Sequence, residues 1–177
     1  MNGKLVAVIL AVLAISAAGG YLLYAPAPVT LRLTDPPPQS YDSSITSITV
    51  TFTKIETHSA GAGNDSGWHT IMTSGTVDLL TVLNVSKVLG TASIQAGKYT
   101  EIRFFISQTI ITISGVSVPY SVPSANQTGF KVPITGGGLQ VTGGLSASVQ
   151  LDLAFRNSEI MNNVNLTLTP VATATVG

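Results

Sequence analysis

The sequence predicts an all-β fold, an antiparallel β-sandwich of the Ig-like or jelly-roll type, on three observations. Apolar and polar residues alternate with period two, as in half-buried strands, over Ile48–Phe52, Ile102–Ile106, Ala147–Phe155 and Val164–Leu168. Turns rich in Gly and Pro separate these runs at short intervals, which favours antiparallel packing. Beyond the N-terminal region, only Leu79–Leu89 has apolar residues near one helical face, so we expect one short helix there.

Glycine-containing turns define further strands. Ser114-Gly115 lies between Thr109–Ile113 and Val116–Tyr120, and this arrangement predicts a β-hairpin. A short strand is expected at Leu139–Thr142, which glycines bracket on both sides. The tail Val171–Gly177 alternates small residues with Thr and is interpreted as an ordinary last strand.

The N-terminal segment predicts export from the cytoplasm. Leu5–Leu23 contains no charged residue and follows Lys4. As a helix it would be roughly 28 Å long, close to the thickness of a bilayer core. One interpretation is a signal peptide cleaved near Ser16–Gly19, and the other is an uncleaved anchor with Tyr21 and Tyr24 at the interface. A pilin-type leader that leaves the apolar helix in a filament core is a third, weaker alternative.

These observations divide the chain into three parts. Residues 1–24 are a signal peptide or membrane anchor, residues 25–30 are a Pro/Ala linker or donor strand, and residues 31–177 form the sandwich domain. All the alternatives place the domain outside the cell or at its surface.

Composition excludes several classes of function. Of the 177 residues, 9% are charged, and the formal net charge is zero. This is unsuited to nucleic-acid binding, which needs clustered Lys and Arg. The chain has no Cys, which excludes disulfides, thiolate metal sites, Cys nucleophiles and a lipoprotein anchor. A neutral surface with few charges suits a structural role outside the cell better than an enzyme in the cytosol.

The sequence has no recognisable enzymatic motif. It contains no Gly-x-Ser-x-Gly elbow, and the Gly-rich stretch Gly136–Gly144 lacks the Lys-Ser/Thr ending of a phosphate loop. The one Trp, Trp68, is interpreted as core or rim packing, with sugar stacking as the alternative. The polar residues of Lys98–Arg103 are interpreted as a strand surface with cross-strand ion pairs. We therefore predict a protein that is not an enzyme.

Two groups of residues could in principle bind a metal, but the sequence predicts neither site. His58 and His69 flank the loop Ser59–Gly67 and would need Asp65 or Glu56 as a third ligand, without any regular zinc spacing.

The second is a calcium site formed by Asp35 and Asp42, which flank Pro36–Pro38. It lacks the spacing of an EF-hand, and capping of the turn by the two carboxylates is the simpler role. The sequence therefore predicts no metal and no cofactor.

Two covalent modifications are compatible with the sequence. Asn-x-Ser/Thr sequons, the acceptors of N-glycans, occur at Asn64, Asn84, Asn126 and Asn165. A Lys–Asn isopeptide bond is a second possibility that would require Lys54 or Lys131 to be buried beside an Asn.

Several ordered motifs resemble an uncharacterised family of secreted β-sandwich domains. The opening Leu31–Pro36, then Tyr41-Asp42, then Ile48–His58, matches the family pattern L-T-D-x-P…Y-D…V-x-V-x-I-x-K-V-E-V-H. Further matches include Val77–Leu80 and Ala96–Arg103, and the resemblance extends over about Val29 to Phe155. It implies a surface-exposed domain, and no enzymatic activity is implied by it.

The chain is also similar to subunits of archaeal surface filaments of the thread and bundling-pilus type. That resemblance implies a homopolymer built by donor-strand complementation, in which one subunit's tail completes the sandwich of the next. The donor candidate is Gly20–Thr30, with Tyr21, Leu23, Val29 and Leu31 as anchors. The alternative donor is the C-terminal tail, and the alternative function is a membrane-tethered extracellular domain that binds a glycan or a protein.

Overall fold

The computed structural model describes residues 3–35, 40–63, 65–123, 125–162 and 164–177. Helices are α1 (Gly3–Tyr24), a 3₁₀ helix (Leu79–Val82) and α2 (Asn157–Met161). The first strands are β1 (Ala27–Thr34), β2 (Ile45–Ser59), β3 (Trp68–Met72), β4 (Gly75–Asp78) and β5 (Lys87–Ile94). The remaining strands are β6 (Gly97–Ile113), β7 (Val116–Tyr120), β8 (Phe130–Pro133), β9 (Leu139–Val141), β10 (Ala147–Phe155) and β11 (Pro170–Val176).

The strands form two packed sheets. The smaller sheet has the order β11-β10-β1-β5. The larger has the order β3-β2-β6-β7, with β4 also paired to β2 and with β8 and β9 also paired to β6. One hydrophobic core contains the inward residues of both sheets, and in it Phe52 and Phe104 lie 5.1 Å apart between ring centroids. The prediction of an all-β sandwich is confirmed.

The pairing of β2 with β6 is the spine of the larger sheet. Both strands alternate buried apolar residues with more exposed polar ones, which is the pattern that the period-two runs predicted. Their register places Lys54 opposite Phe105, and Glu56 opposite Arg103. Because these side chains point away from the core, the spine brings charged and aromatic groups together on the outer face of the sheet.

The predicted hairpin at Ser114-Gly115 is confirmed. The φ angles of Ser114 and Gly115 are 49° and 80°, so both central residues are left-handed, as a type I′ turn requires. This turn joins β6 to β7 with Ile113 opposite Val116.

The helix predicted over Leu79–Leu89 is wrong in its extent. The helical part is only the 3₁₀ turn Leu79–Val82, in which the Asp78 carboxylate accepts a hydrogen bond from Leu80 N at 3.0 Å. After it, Leu83 forms a bridge with Asp35, Asn84 has a φ of 56°, and β5 begins at Lys87 and pairs with β1. Tertiary pairing thus outweighed the helical spacing of the apolar side chains.

The strand predicted over Val164–Leu168 is also wrong. Leu166 has a φ of 51°, which interrupts an extended strand. Ser121 N donates to Leu166 O at 2.7 Å, and Leu168 N donates to Ser121 O at 2.8 Å. These bonds hold the segment as a loop, and the last strand begins only at Pro170.

The N-terminal strand completes the chain's own sandwich. β1 lies inside the smaller sheet, parallel to β10 and antiparallel to β5. Of the donor-strand candidates, Val29 and Leu31 are 1% exposed in this strand, whereas Tyr21 and Leu23 are 74% and 60% exposed on α1. The candidate segment Gly20–Thr30 is therefore part helix and part strand, and in this conformation it cannot act as one extended donor.

The C-terminal tail lies in β11, which pairs antiparallel with β10. It occupies the edge of the smaller sheet, the place of an ordinary last strand. Thr135 N donates to Ala174 O at 2.8 Å and links this edge to the segment that follows β8.

The helix α1 leads directly into the sandwich. Only Ala25 and Pro26 separate its end from the start of β1, and Gly143 N donates to Leu23 O at 3.2 Å. Counting only the residues described in full, no helix combines the length and the apolarity needed to cross a membrane.

Candidate binding surface

The outer face of the larger sheet gathers cations, aromatic rings and one buried acid. Pairing places Glu56 between Thr70 of β3 and Arg103 of β6, and places Arg103 beside Lys131 of β8. Together these outward side chains form what we call the cationic–aromatic cluster: Lys54, Glu56, Trp68, Arg103, Phe105 and Lys131.

Glu56 is the electrostatic centre of the cluster. Its side chain is 8% exposed, and its two oxygens accept from Lys54 Nζ at 2.7 Å and from Arg103 Nη2 at 2.8 Å. Arg103 Nε donates to the same oxygen as Nη2, at 3.1 Å. Burial alone would raise the pKa of Glu56, but the hydrogen bonds and charges of Lys54 and Arg103 outweigh it and hold this pKa below its ordinary value.

The cations of the cluster lie over its aromatic rings. The Arg103 guanidinium carbon is 3.8 Å from the Trp68 ring centroid and 5.1 Å from that of Phe105. Lys54 Nζ is 4.5 Å from the Phe105 centroid, and Lys131 Nζ is 5.6 Å from that of Trp68. Such cation–π contacts favour a fixed position for each charge.

Gly129 packs closely against the Arg103 side chain on the outer face of the larger sheet. A Cβ at this position would lie 2.4 Å from Arg103 Cγ, and its φ of 75° is left-handed. Glycine is therefore required both by the close approach and by the backbone conformation. The arginine stem is confined between the Gly129 backbone and the sheet below it.

The two histidines lie on opposite faces of the larger sheet. His58 pairs with Trp68, and the next residue of β2, Thr57, pairs with His69, so the two imidazoles point in opposite directions. His58 Nε2 lies 3.1 Å from Gly63 O, and His69 Nε2 lies 3.0 Å from Ser59 Oγ. Across the described residues, no group of three His, Cys, Asp or Glu side chains could hold a metal ion. The metal site considered for the histidines is thus not formed.

Comparison with known proteins identifies a family. A family model described as a domain of unknown function, DUF4382, matches residues 26–170. The chain belongs to this family. No curated protein and no solved structure matches it. The matched DUF4382 region begins just before β1 and includes every residue of the cationic–aromatic cluster.

The two aspartates of the candidate calcium site lie in different environments. Asp35 is fully buried and accepts a hydrogen bond from Tyr41 OH at 3.0 Å. Burial raises its pKa to about 6; the Tyr41 hydrogen bond opposes this rise, and the charge of Asp152 adds to it. Asp42 instead caps the turn before β2, accepting from Ser44 N at 2.9 Å. Capping is the role that the sequence favoured for it, and no shared cation site is formed.

Three of the four sequons are exposed. Asn84, Asn126 and Asn165 all lie at the surface in turns or loops. Asn64 lies outside the described residues. Glycosylation of these side chains stays a prediction.

Neither of the two lysines that could form the isopeptide bond is buried. The Lys54 side chain is 40% exposed and paired with Glu56, and Lys131 is exposed. Both belong to the outer face of the larger sheet, away from the core.

Sequence reasoning considered Trp68 and the Arg103 strand separately but did not bring them together. The sequence offered Lys54 only as a candidate for an isopeptide bond, Glu56 only as a candidate metal ligand, and Phe105 only as an alternating residue of a strand. The missing information was the register of β2 against β3 and β6, and of β6 against β8. Bulges such as the shift between Ile55 and Glu56 set this register. Period-two patterns do not specify such shifts.

Proposed function

We propose that this chain is an exported, non-enzymatic domain that binds a glycan or a protein at the cell surface through the cationic–aromatic cluster. The supporting observation is the concentration of charge. Three of the chain's eight Lys and Arg residues meet over two aromatic rings on one face.

Export is supported by the sequence of the N-terminal segment. Leu5–Leu23 is uncharged and follows Lys4, as in a signal peptide or an anchor. Cleavage would release the domain, and retention would tether it at the surface. N-terminal sequencing of the mature chain distinguishes the two.

The arrangement of the cluster supports binding because its groups are already held in place. Glu56 and Gly129 fix Arg103, so little side-chain entropy is lost when a ligand arrives.

Binding to isolated cell-envelope fragments tests the proposed function. We expect the full chain to bind them and Lys131→Glu to bind about tenfold more weakly, because it reverses an exposed cation of the cluster. Lys87→Glu is the matched control, since Lys87 is an exposed cation on the smaller sheet. Equal binding by all three proteins would contradict the proposal.

A second candidate function is a filament subunit that exchanges β1 between copies. The observation in its favour is that β1 follows α1 directly and pairs on both sides. Exchange of β1 with an identical neighbour would therefore preserve every pairing, as in domain swapping. Negative-stain microscopy of the full chain at high concentration tests it. Filaments support exchange, and dispersed monomers contradict it.

A further inference from the structure

The cations of the cluster, rather than its rings, are the groups left to meet a ligand. Arg103 lies 3.8 Å from the Trp68 centroid, and the His58 ring lies 4.7 Å from the same ring. Lys54 lies 4.5 Å from the Phe105 centroid. A sugar that stacks on an aromatic ring needs an open ring face. With cations over both rings, the surface presents positive charge.

The hydrogen-bonding pattern of Arg103 leaves a donor for a ligand. Glu56 accepts hydrogen bonds from Nε and Nη2 of the Arg103 guanidinium. Among the described residues no hydrogen bond involves Nη1, which is therefore open to an incoming anion. One strand further along, Lys131 is exposed and has three ammonium donors. A guanidinium and an ammonium on neighbouring strands are suited to carboxylate groups.

The charge of the face favours an anion. Lys54, Arg103 and Lys131 outnumber the acids of the same surface, which are Glu56 and, one row along the sheet, Glu101. The face thus keeps positive charge in a chain whose formal net charge is zero.

Beside the cations, the apolar groups of this face are the half-buried rings of Trp68 and Phe105, and cations lie over both rings. Among the described residues, every large apolar side chain that is exposed lies outside β2, β3, β6 and β8. The fully buried part of a protein–protein interface is usually apolar and poor in charge. A polar, extended polymer therefore fits this open sheet surface better than a protein partner does.

We infer that the cationic–aromatic cluster binds the carboxylate groups of an acidic polysaccharide. Lys131 and Arg103 contact the carboxylates, while Glu56, Trp68 and Phe105 position the cations. This inference rests on the proposed function and names the class of its ligand.

Direct binding to polymers of known chemistry tests the inference. The full chain, kept in mild detergent, is titrated with polygalacturonate, neutral dextran and polyglutamate. We expect binding to polygalacturonate, no binding to dextran, and an affinity for polygalacturonate that falls as salt rises. In Lys131→Glu this affinity should fall about tenfold, and in Lys87→Glu it should stay within about twofold.

Three results would overturn the inference: no binding of polygalacturonate, equal losses in the two variants, or tighter binding of polyglutamate. The envelope experiment keeps this failure distinct from that of the proposed function. If the wild type binds envelope fragments with loss in Lys131→Glu but does not bind polygalacturonate, only the ligand class is wrong. If Lys131→Glu binds envelope fragments as the wild type does, both proposals fail.

Discussion

The two sheets each bury one carboxylate, but they surround it differently. In the smaller sheet, Asp35 follows β1, is fully buried and accepts a hydrogen bond from the neutral Tyr41 hydroxyl. In the larger sheet, Glu56 is nearly as buried but is bound by two cations, Lys54 and Arg103. Burial raises the pKa of Asp35, whereas the cations lower that of Glu56.

The difference indicates a division of roles. The smaller sheet takes in the N-terminal strand, and its outer side chains bond one another, as Thr30 Oγ1 and Thr91 Oγ1 do at 3.1 Å. The larger sheet carries the charges and rings on its outer face. We infer that the smaller sheet completes the fold and that the larger sheet presents a surface.

The largest expected effect comes from β1. Leu31→Ala should lower the free energy of unfolding by about 3 kcal/mol, because it opens a cavity in a fully packed core. Urea unfolding at low protein concentration measures this. Val88→Ala, at a side chain 48% exposed on β5, is the control and should cost much less. If Leu31→Ala lowers the free energy of unfolding by less than about 1 kcal/mol, β1 does not pack in the core of its own chain.

The next effect tests the charged centre of the larger sheet. Glu56→Gln should destabilise the fold by about 2 kcal/mol, since it leaves the partly buried Arg103 guanidinium without its counter-charge. Glu159→Gln is a matched control because Glu159 pairs with Arg156 at the surface, 3.0 Å away. Its cost should be under about 1 kcal/mol. Equal losses in the two variants would mean that Glu56 behaves as an ordinary surface acid.

A smaller effect distinguishes the carboxylates by pH. The pKa of Asp35 is about 6 in the fold against an ordinary 3.8, so the folded protein takes up a proton first as pH falls. The Asp35 contribution to the free energy of unfolding should therefore rise between pH 7 and pH 4, by about 1–3 kcal/mol. In Asp35→Asn this rise should be absent, and the variant should be more stable than the wild type at pH 8. Urea unfolding across this range checks both, and an unchanged slope in the variant would contradict the burial argument.

Glu56 is expected to change the free energy of unfolding with pH in the opposite direction. Its pKa lies below the ordinary 4.5, so its contribution is present above pH 4.5 and is lost as pH falls through the folded pKa. Comparison of the wild type with Glu56→Gln below pH 4.5 isolates the contribution of Glu56 to the free energy of unfolding. A wild type that loses no more stability than Glu56→Gln in that range would contradict the ion-pair argument.

The sequence predicted much of the fold and little of the surface. The β2–β6 spine, the β6–β7 hairpin and β10 followed from period-two alternation and turn residues, which are local signals. The segments Leu79–Leu89 and Val164–Leu168 failed because pairing with β1 and bonds to Ser121 decided them, and these partners are distant in sequence. The cluster joins four strands, so its position depends on register and bulges that no single segment encodes.

A disulfide test measures most directly whether β1 completes its own sandwich. Thr30 and Thr91 are opposite each other on β1 and β5, close enough for a disulfide, and the chain has no other Cys. We predict that Thr30→Cys/Thr91→Cys, oxidised at high protein concentration and run on a non-reducing gel, gives a single cross-linked monomer. A ladder of disulfide-linked chains would show that β1 belongs to a neighbour, and it would contradict this account.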